Sequence, residues 1–404
     1  MSRIRSSELA MIYDSRGRPT VEATIVLDSG AWARAGAPSG ASTGIHEVLA
    51  FPAGGVGEAI STFSGLVAPR LHGLDPSDTA GVDRALVEAD GTPNFGRIGG
   101  NAATATSVAA ALAHAHDSHQ PLWRVLARPG IDAPRFPAIV GNCLNGGRHA
   151  VGGPDIQEFI AFAEGRRIEE SIEAAIHVHR WIGASLHERF PRAALGRGDE
   201  GGWVAPLGNV EAVELLTEAC AAVRDELHVE VHPGLDLAAS EFYANGRYHY
   251  REQVLDGTGQ VAFVEKLVER YGLRFVEDPF DQEAFGEFAD LTRRVGGSTL
   301  VVGDDVYVSQ EARVRRGLEE GATNAVLIKV NQVGTLSQAA EAVETTRLAG
   351  WKSVISHRSG ETTDDFIAHL AVGFRADMIK SGTVGGERLA KLNEVVRIQE
   401  DLIS

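Results

Sequence analysis

Six ionisable residues close short apolar runs in the second half of the chain: Asp236 ends GLD, Glu277 falls in RFVED, Asp304 in LVVGD, Lys329 in VLIK, His357 in SVISH and Lys380 in MIK. Asp236, Glu277 and Asp304 are hard oxygen donors without the Cys or His partners that zinc favours, and such a set suits Mg²⁺. Lys329 and Lys380 supply two ammoniums. A lysine beside a divalent cation and a second ammonium has its charged form disfavoured, which makes it a candidate base near neutral pH. Metal ions on a carboxylate together with a lysine base would allow removal of a proton from the neighbouring carbon. The cations offset the negative charge that this step builds up.

Such residues need a scaffold that brings them to one place. Successive members of the series stand 41, 27, 25, 28 and 23 residues apart. Between them lie helix-compatible segments such as TLSQAAEAVETTRLAG at 335–350, whose apolar residues recur at helical spacing. Strand, helix, strand at about 25 residues is the beat of an α/β barrel, and in such barrels chemistry sits at the carboxyl ends of the strands. A single charged strand end could be a solvated residue or a rim ion pair. Six in succession, of both signs, predict a common site.

Two further carboxylates fall in loops: Glu158 in DIQEF and Glu200 in GDEGG. Asp199 and Glu200 are walled in by Gly198, Gly201 and Gly202, which predicts a turn that approaches a ligand closely. A protonated glutamic acid there could donate to a departing hydroxyl. In SHRSGE, Arg358 offers forked donors and Ser359 a hydroxyl, a plausible phosphate clamp, although Ser359 and Glu361 could instead cap a helix. His149 in NGGRHA is a candidate donor or a buried structural histidine.

The remainder of the chain bounds these readings. A length of 404 residues accommodates one barrel and a smaller partner domain. Residues 20–26 and 31–35 read as a hairpin around the turn at 28–30, followed by the loop APSGASTG at 37–44 and an Ala-rich helix over 101–117. The Pro- and Gly-dense stretch at 129–137 predicts a linker, with an α+β unit over 1–128 and the barrel over 129–404. A net charge of −17 argues against nucleic-acid or acidic-membrane partners, so an anionic substrate would need locally placed cations. Two cysteines, Cys143 and Cys220, exclude a disulfide framework. With neither a secretory leader nor an eighteen-residue apolar run, a cytoplasmic location is expected.

The blocks DSRGRPTVEA, PSGASTG, NGGRHA, DIQEF, GDEGG, DLAASEFY, VEDPF, VGDD, LIKVNQVGTL and SHRSGET resemble, in order and spacing, those of the enolase family. They run from Asp14 to the final helix. The resemblance implies an α/β fold, an enolase-like (βα)8 barrel with an α+β N-terminal capping domain, assembled as a homodimer or octamer. It implies dehydration of a small phosphorylated carboxylate, 2-phospho-D-glycerate, with two Mg²⁺ per site. Lys329 would be the base and Glu200 the acid, with Glu158 beside it. Asp236, Glu277 and Asp304 would hold the first Mg²⁺, and Ser39 the second together with the substrate phosphate. Arg358, Ser359 and Gln157 would contact substrate, Lys380 would meet its carboxylate, and His149 and His357 would line the pocket.

Four stretches depart from the family pattern. KSGTVGGER lacks the Arg-Ser pair that the family carries after the second lysine, GDEGGWVAP has an insertion at Trp203 or Val204, AVGGPDIQEF lacks an Asn, and His369 replaces an Asp. These flanks leave open an enolase-like paralogue acting on a phosphonate, similar to carboxyphosphonoenolpyruvate synthase. A non-enzymatic use of the fold would tolerate loss of acid, base or metal ligands, and none is lost.

Overall fold

The computed structural model describes residues 2–40, 43–127 and 135–403. The N-terminal unit opens with three antiparallel strands, β1 (Ile4–Tyr13), β2 (Pro19–Leu27) and β3 (Trp32–Gly36), in the order β1-β2-β3. The expected hairpin is β2 and β3, turning at Gly30 with a φ of +92°. β1 was not anticipated: a register irregularity near Ile4 and Ser6 breaks its apolar alternation, and Met11 and Tyr13 near its other end are exposed. Against this sheet lies α1 (Gly100–Asp117), close to the expected 101–117. Its Ala, Thr and Ser side chains are small enough for burial on nearly every face.

Among the described residues, eight strands then close a barrel: β4 (Ala138–Asn145), β5 (Glu158–Glu164), β6 (Glu230–Asp236), β7 (Phe275–Glu277), β8 (Leu300–Gly303), β9 (Ala325–Ile328), β10 (Lys352–Ser356) and β11 (Met378–Lys380). β11 pairs with β4 to complete the ring. The beat read from the sequence holds from β6 onward. β5, however, runs antiparallel to both of its neighbours, so its first residue, Glu158, lies on the same rim as the carboxyl ends of the others. The long 41-residue interval is filled by a small three-stranded sheet at 243–255 as well as the helix Gly257–Tyr271. The predicted boundary between residues 128 and 129 lies outside the described residues.

The barrel interior is solid: Val140, Ile160, Phe162, Phe275, Val302, Ala325, Leu327, Val354 and Met378 form a buried cluster separate from the main core. The N-terminal unit is tied to the rim by polar contacts. Val48 N–H donates to Gln332 O at 3.0 Å, Asn331 Nδ2 to Pro38 O at 3.0 Å, and Ser337 N–H to Asp83 Oδ2 at 2.8 Å. Among the described residues, no helix is long and apolar enough to cross a membrane.

Phe275 contributes the large ring to that interior. Phe275→Ala should lower stability by about 3–5 kcal/mol, read as a lower urea midpoint at unchanged slope. An unmoved midpoint would show that the interior is not close-packed.

Candidate active site

Strand register decides what faces what. Glu158 on β5 pairs with Asp236 on β6, and Asp236 with Glu277 on β7, so three carboxylates stand side by side at one level of the rim. Asp304 follows directly after β8, Lys329 after β9 and His357 after β10, while Lys380 ends β11. Lys329 and Glu158 are four strands apart in a ring of eight, on opposite sides of the mouth.

The ammonium of Lys380 reaches into the acidic row, 2.7 Å from Glu277 Oε2, 3.2 Å from Glu158 Oε2 and 3.3 Å from Asp236 Oδ2. Lys329 Nζ makes a close ion pair with Asp304, whose other oxygen accepts from Gln332 Nε2 at 2.9 Å. Gln157 Nε2 lies 3.5 Å from Asp236 Oδ2. Asp278 accepts the backbone N–H groups of Asp304 and Asp305, at 2.9 and 2.7 Å, and so fixes the Asp304 turn.

Across the mouth, His149 lies between two carboxylates, with Nδ1 3.5 Å from Glu158 Oε1 and Nε2 3.8 Å from Glu200 Oε1. Glu200 Oε2 is approached by Asn142 Nδ2 at 3.2 Å and His357 Nε2 at 3.3 Å. The Glu200 loop comes as close as its glycines predict: Gly201 has a φ of +82°, and a Cβ there would meet Val384 O at 2.2 Å. Ser359 Oγ faces His149 Nε2 at 3.3 Å, and Glu361 accepts the Arg358 N–H at 3.0 Å. The next helix begins only at Phe366, which excludes the helix-cap reading of Ser359 and Glu361. Ser39 exchanges two backbone hydrogen bonds with Gly360, next to this clamp.

Residues 4–126 match the family model described as the enolase N-terminal domain, and residues 134–404 the model described as the enolase C-terminal TIM barrel domain. The enolase of Methanothermobacter thermautotrophicus is 46% identical over 99% of this chain and 97% of its own length. Those of Natronomonas pharaonis and Thermoplasma acidophilum are 46% and 43% identical over 99% of both chains. The chain belongs to the enolase family.

Within this enolase-family site, oxygen donors that could hold a divalent cation are present in number, and Glu277 Oε1 is buried without a hydrogen-bond partner. An all-oxygen carboxylate row with an unsatisfied atom fits a hard cation. The ligand atoms within 4.8 Å of one another are nonetheless two other groups, His149–Glu158–Glu200 and Asp278–Asp304–Asp305. Asp236, Glu277 and Asp304 are spread along three strand ends, with the two lysines as their counter-charges.

Burial would lower the Lys329 pKa, but Asp304 outweighs it and holds the amine above its ordinary value. Burial and the neighbouring Glu200 push the Glu158 carboxyl well up. Burial also opposes ionisation of Glu200, yet His357 and His149 draw it well below the usual range. Burial and Asp236 raise Glu277 to about 8.

Three site residues escaped sequence reading. Glu47, in the loop after PSGASTG, grips the Arg358 guanidinium with both oxygens at 3.0–3.1 Å. Arg388 is fully buried behind His357, and Lys391 pairs with Glu361 at 2.9 Å. Charges this deep imply partners, but only folding names them. Trp203 has a place too. Its indole N–H donates to His179 O at 2.9 Å, its ring stacks on the His179 imidazole, and His179 Nε2–H donates to Gly201 O at 2.9 Å in the Glu200 loop. His369 pairs with Glu394 at 3.2 Å on the outer helices. Beside the Glu200 loop lies a cavity of about 790 Å³ lined by Arg16, Arg18, Arg148 and Arg197 together with Asp199 and Glu387.

Burial lowers the His179 pKa to about 4, against an unfolded value of about 6.5. Stability present above pH 6.5 is therefore lost as the pH falls toward 4, because the unfolded chain takes up the proton first. His179→Phe keeps the stacking and removes this titration. Its urea midpoint should lie below the parent's at pH 7.5 and close that gap by pH 5; a constant gap would refute a neutral buried His179.

Proposed function

We propose that this protein catalyses the reversible dehydration of 2-phospho-D-glycerate to phosphoenolpyruvate, a glycolytic carbon–oxygen lyase reaction. The observation that carries the reading is the opposition of Lys329 to the buried Glu158–Glu200 pair across one carboxylate-lined mouth. Lys329 takes the proton next to the substrate carboxylate. Glu200, with Glu158 and His149 beside it, assists departure of the 3-hydroxyl. Lys380 meets the carboxylate, Arg358 and Ser359 hold the phosphate, and Gln157 and His357 complete the pocket wall.

Two Mg²⁺ ions, one on Asp236, Glu277 and Asp304 and one on Ser39 with the phosphate, would supply positive charge to the substrate oxygens as negative charge develops. With such a cation on Asp304, the carboxylate's hold on the Lys329 proton weakens, which suits the amine to act as base. A homodimer or octamer in the cytoplasm belongs to the same proposal. The phosphonate alternative is not favoured, since relatives at 41–46% identity along the full chain are enolases.

Proton removal and hydroxyl loss are separable steps. In deuterated buffer, Lys329→Ala should lose exchange of the alpha proton. Glu200→Gln should retain exchange while product formation slows by roughly 10²- to 10⁴-fold. If both rates fall together in Glu200→Gln, the division of roles is wrong.

Asp304→Asn removes one hard ligand and the partner of Lys329. The Mg²⁺ concentration for half-activation should rise far more than the melting temperature falls. Unchanged activation at equal Mg²⁺ would take Asp304 out of the metal site.

A further inference from the structure

The altered segment KSGTVGGER ends in a residue that the proposed reaction does not use. Arg388 lies in the first turn of the C-terminal helix Gly386–Ile403 and has no exposed surface. Its Nη1 lies 2.7 Å from His357 Nδ1 and donates to Arg358 O at 2.6 Å. Its Nη2 donates to Ser359 O at 2.6 Å and to Asp199 O at 3.0 Å. One guanidinium thus joins the loop that carries Glu200 to the loop that carries His357, Arg358 and Ser359.

Arginine has donors only, so a nitrogen in contact with it must present a lone pair. The single ring hydrogen of neutral His357 is then on Nε2, which lies 3.3 Å from Glu200 Oε2 without the alignment of a hydrogen bond. We infer that Arg388 is a positioning residue of this site, acting through His357: it locks the imidazole as the neutral Nε2–H tautomer and keeps a fixed donor turned toward Glu200. A second proton on Nδ1 would set two cations against each other in a buried space, which is costly.

The surroundings agree. The charged groups facing His357 are Glu200 from its loop, Arg388 from the helix and Glu361 from its own loop, the last neutralised by Lys391. On the strand side, the backbone carbonyl of Lys380 accepts the His357 N–H at 2.9 Å. Burial, helped by Arg388, pulls the ring down to about 4 against the attraction of Glu200. Only the consequence for turnover rests on the proposed role of Glu200 as the acid.

The test is imidazole ¹⁵N NMR on the full-length protein, read with the pH dependence of kcat/KM. In the parent, His357 should show an unprotonated Nδ1, a protonated Nε2 and no titration between pH 5 and 8. In Arg388→Met the tautomers should mix and the ring should titrate near its ordinary value of about 6.5. The acid limb of kcat/KM should move up with it, and kcat should fall about tenfold or more with KM little changed. Arg388→Lys, which keeps a cationic donor, should restore the parent's tautomer and acid limb. A parent His357 protonated on Nδ1, or titrating near 6.5, overturns the inference even if the Met variant does not fold, and so does an Arg388→Met ring that still does not titrate. Should Glu200 prove not to be the acid in the exchange experiment, the NMR result still decides the role of Arg388.

Discussion

Carboxylates crowd one barrel mouth, and the arrangement holds only because two lysine ammoniums stand among them. Glu158, Asp236 and Glu277 are adjacent across three strands and buried, and Lys380 touches all three. Asp304 has Lys329. An unpaired charge at such depth would cost several kcal/mol, whereas a row of acids with interleaved cations is tolerated. The pairing also leaves the acids unequal. Glu277 is pushed up to about 8 by burial and the neighbouring Asp236, which Lys380 offsets only in part, whereas Lys329 outweighs burial at Asp304 and holds it below its ordinary value. Like acids with unlike environments are what acid–base chemistry at one pH requires.

Everything around the mouth fixes these groups from behind. Asp278 holds the Asp304 turn by two backbone N–H groups, Arg388 joins the loops of Glu200 and His357, and His179 with Trp203 braces the Glu200 loop from the helix Ile168–Arg189. None of these supports faces substrate in the proposed scheme. Each removes freedom from a group that does, and a site gains precision from such supports as much as from its reacting atoms. The altered flanks read in this light: Trp203 fills space beside His179, and the changed segment before Arg388 still delivers the guanidinium to His357.

The N-terminal unit is part of the same construction. Pro38, Ser39, Val48 and Asp83 bond to residues 331–337 and 360 on the barrel rim, and Glu47 seizes Arg358 from above. A clamp arginine held by a carboxylate from the other unit couples the docking of the two units to the geometry of the pocket.

The order of apolar runs ending in Asp236, Glu277, Asp304, Lys329, His357 and Lys380 was legible in the sequence, since a buried parallel strand must be apolar and its end at the barrel mouth need not be. So were the loop glycines around Glu200, because close backbone approach leaves no room for a Cβ. The partnerships were not legible. That Asp304 holds the Lys329 amine above its ordinary pKa, that burial and Glu200 push the Glu158 carboxyl up, that β5 runs against its neighbours, and that Arg388 sets the His357 tautomer all depend on distances between residues far apart in the chain. Residue type and spacing determined which chemical groups this protein brings to one rim. Only the tertiary structure decided their charge states and orientation, because Coulomb attraction, desolvation and hydrogen-bond direction act through space and have no signature along the chain.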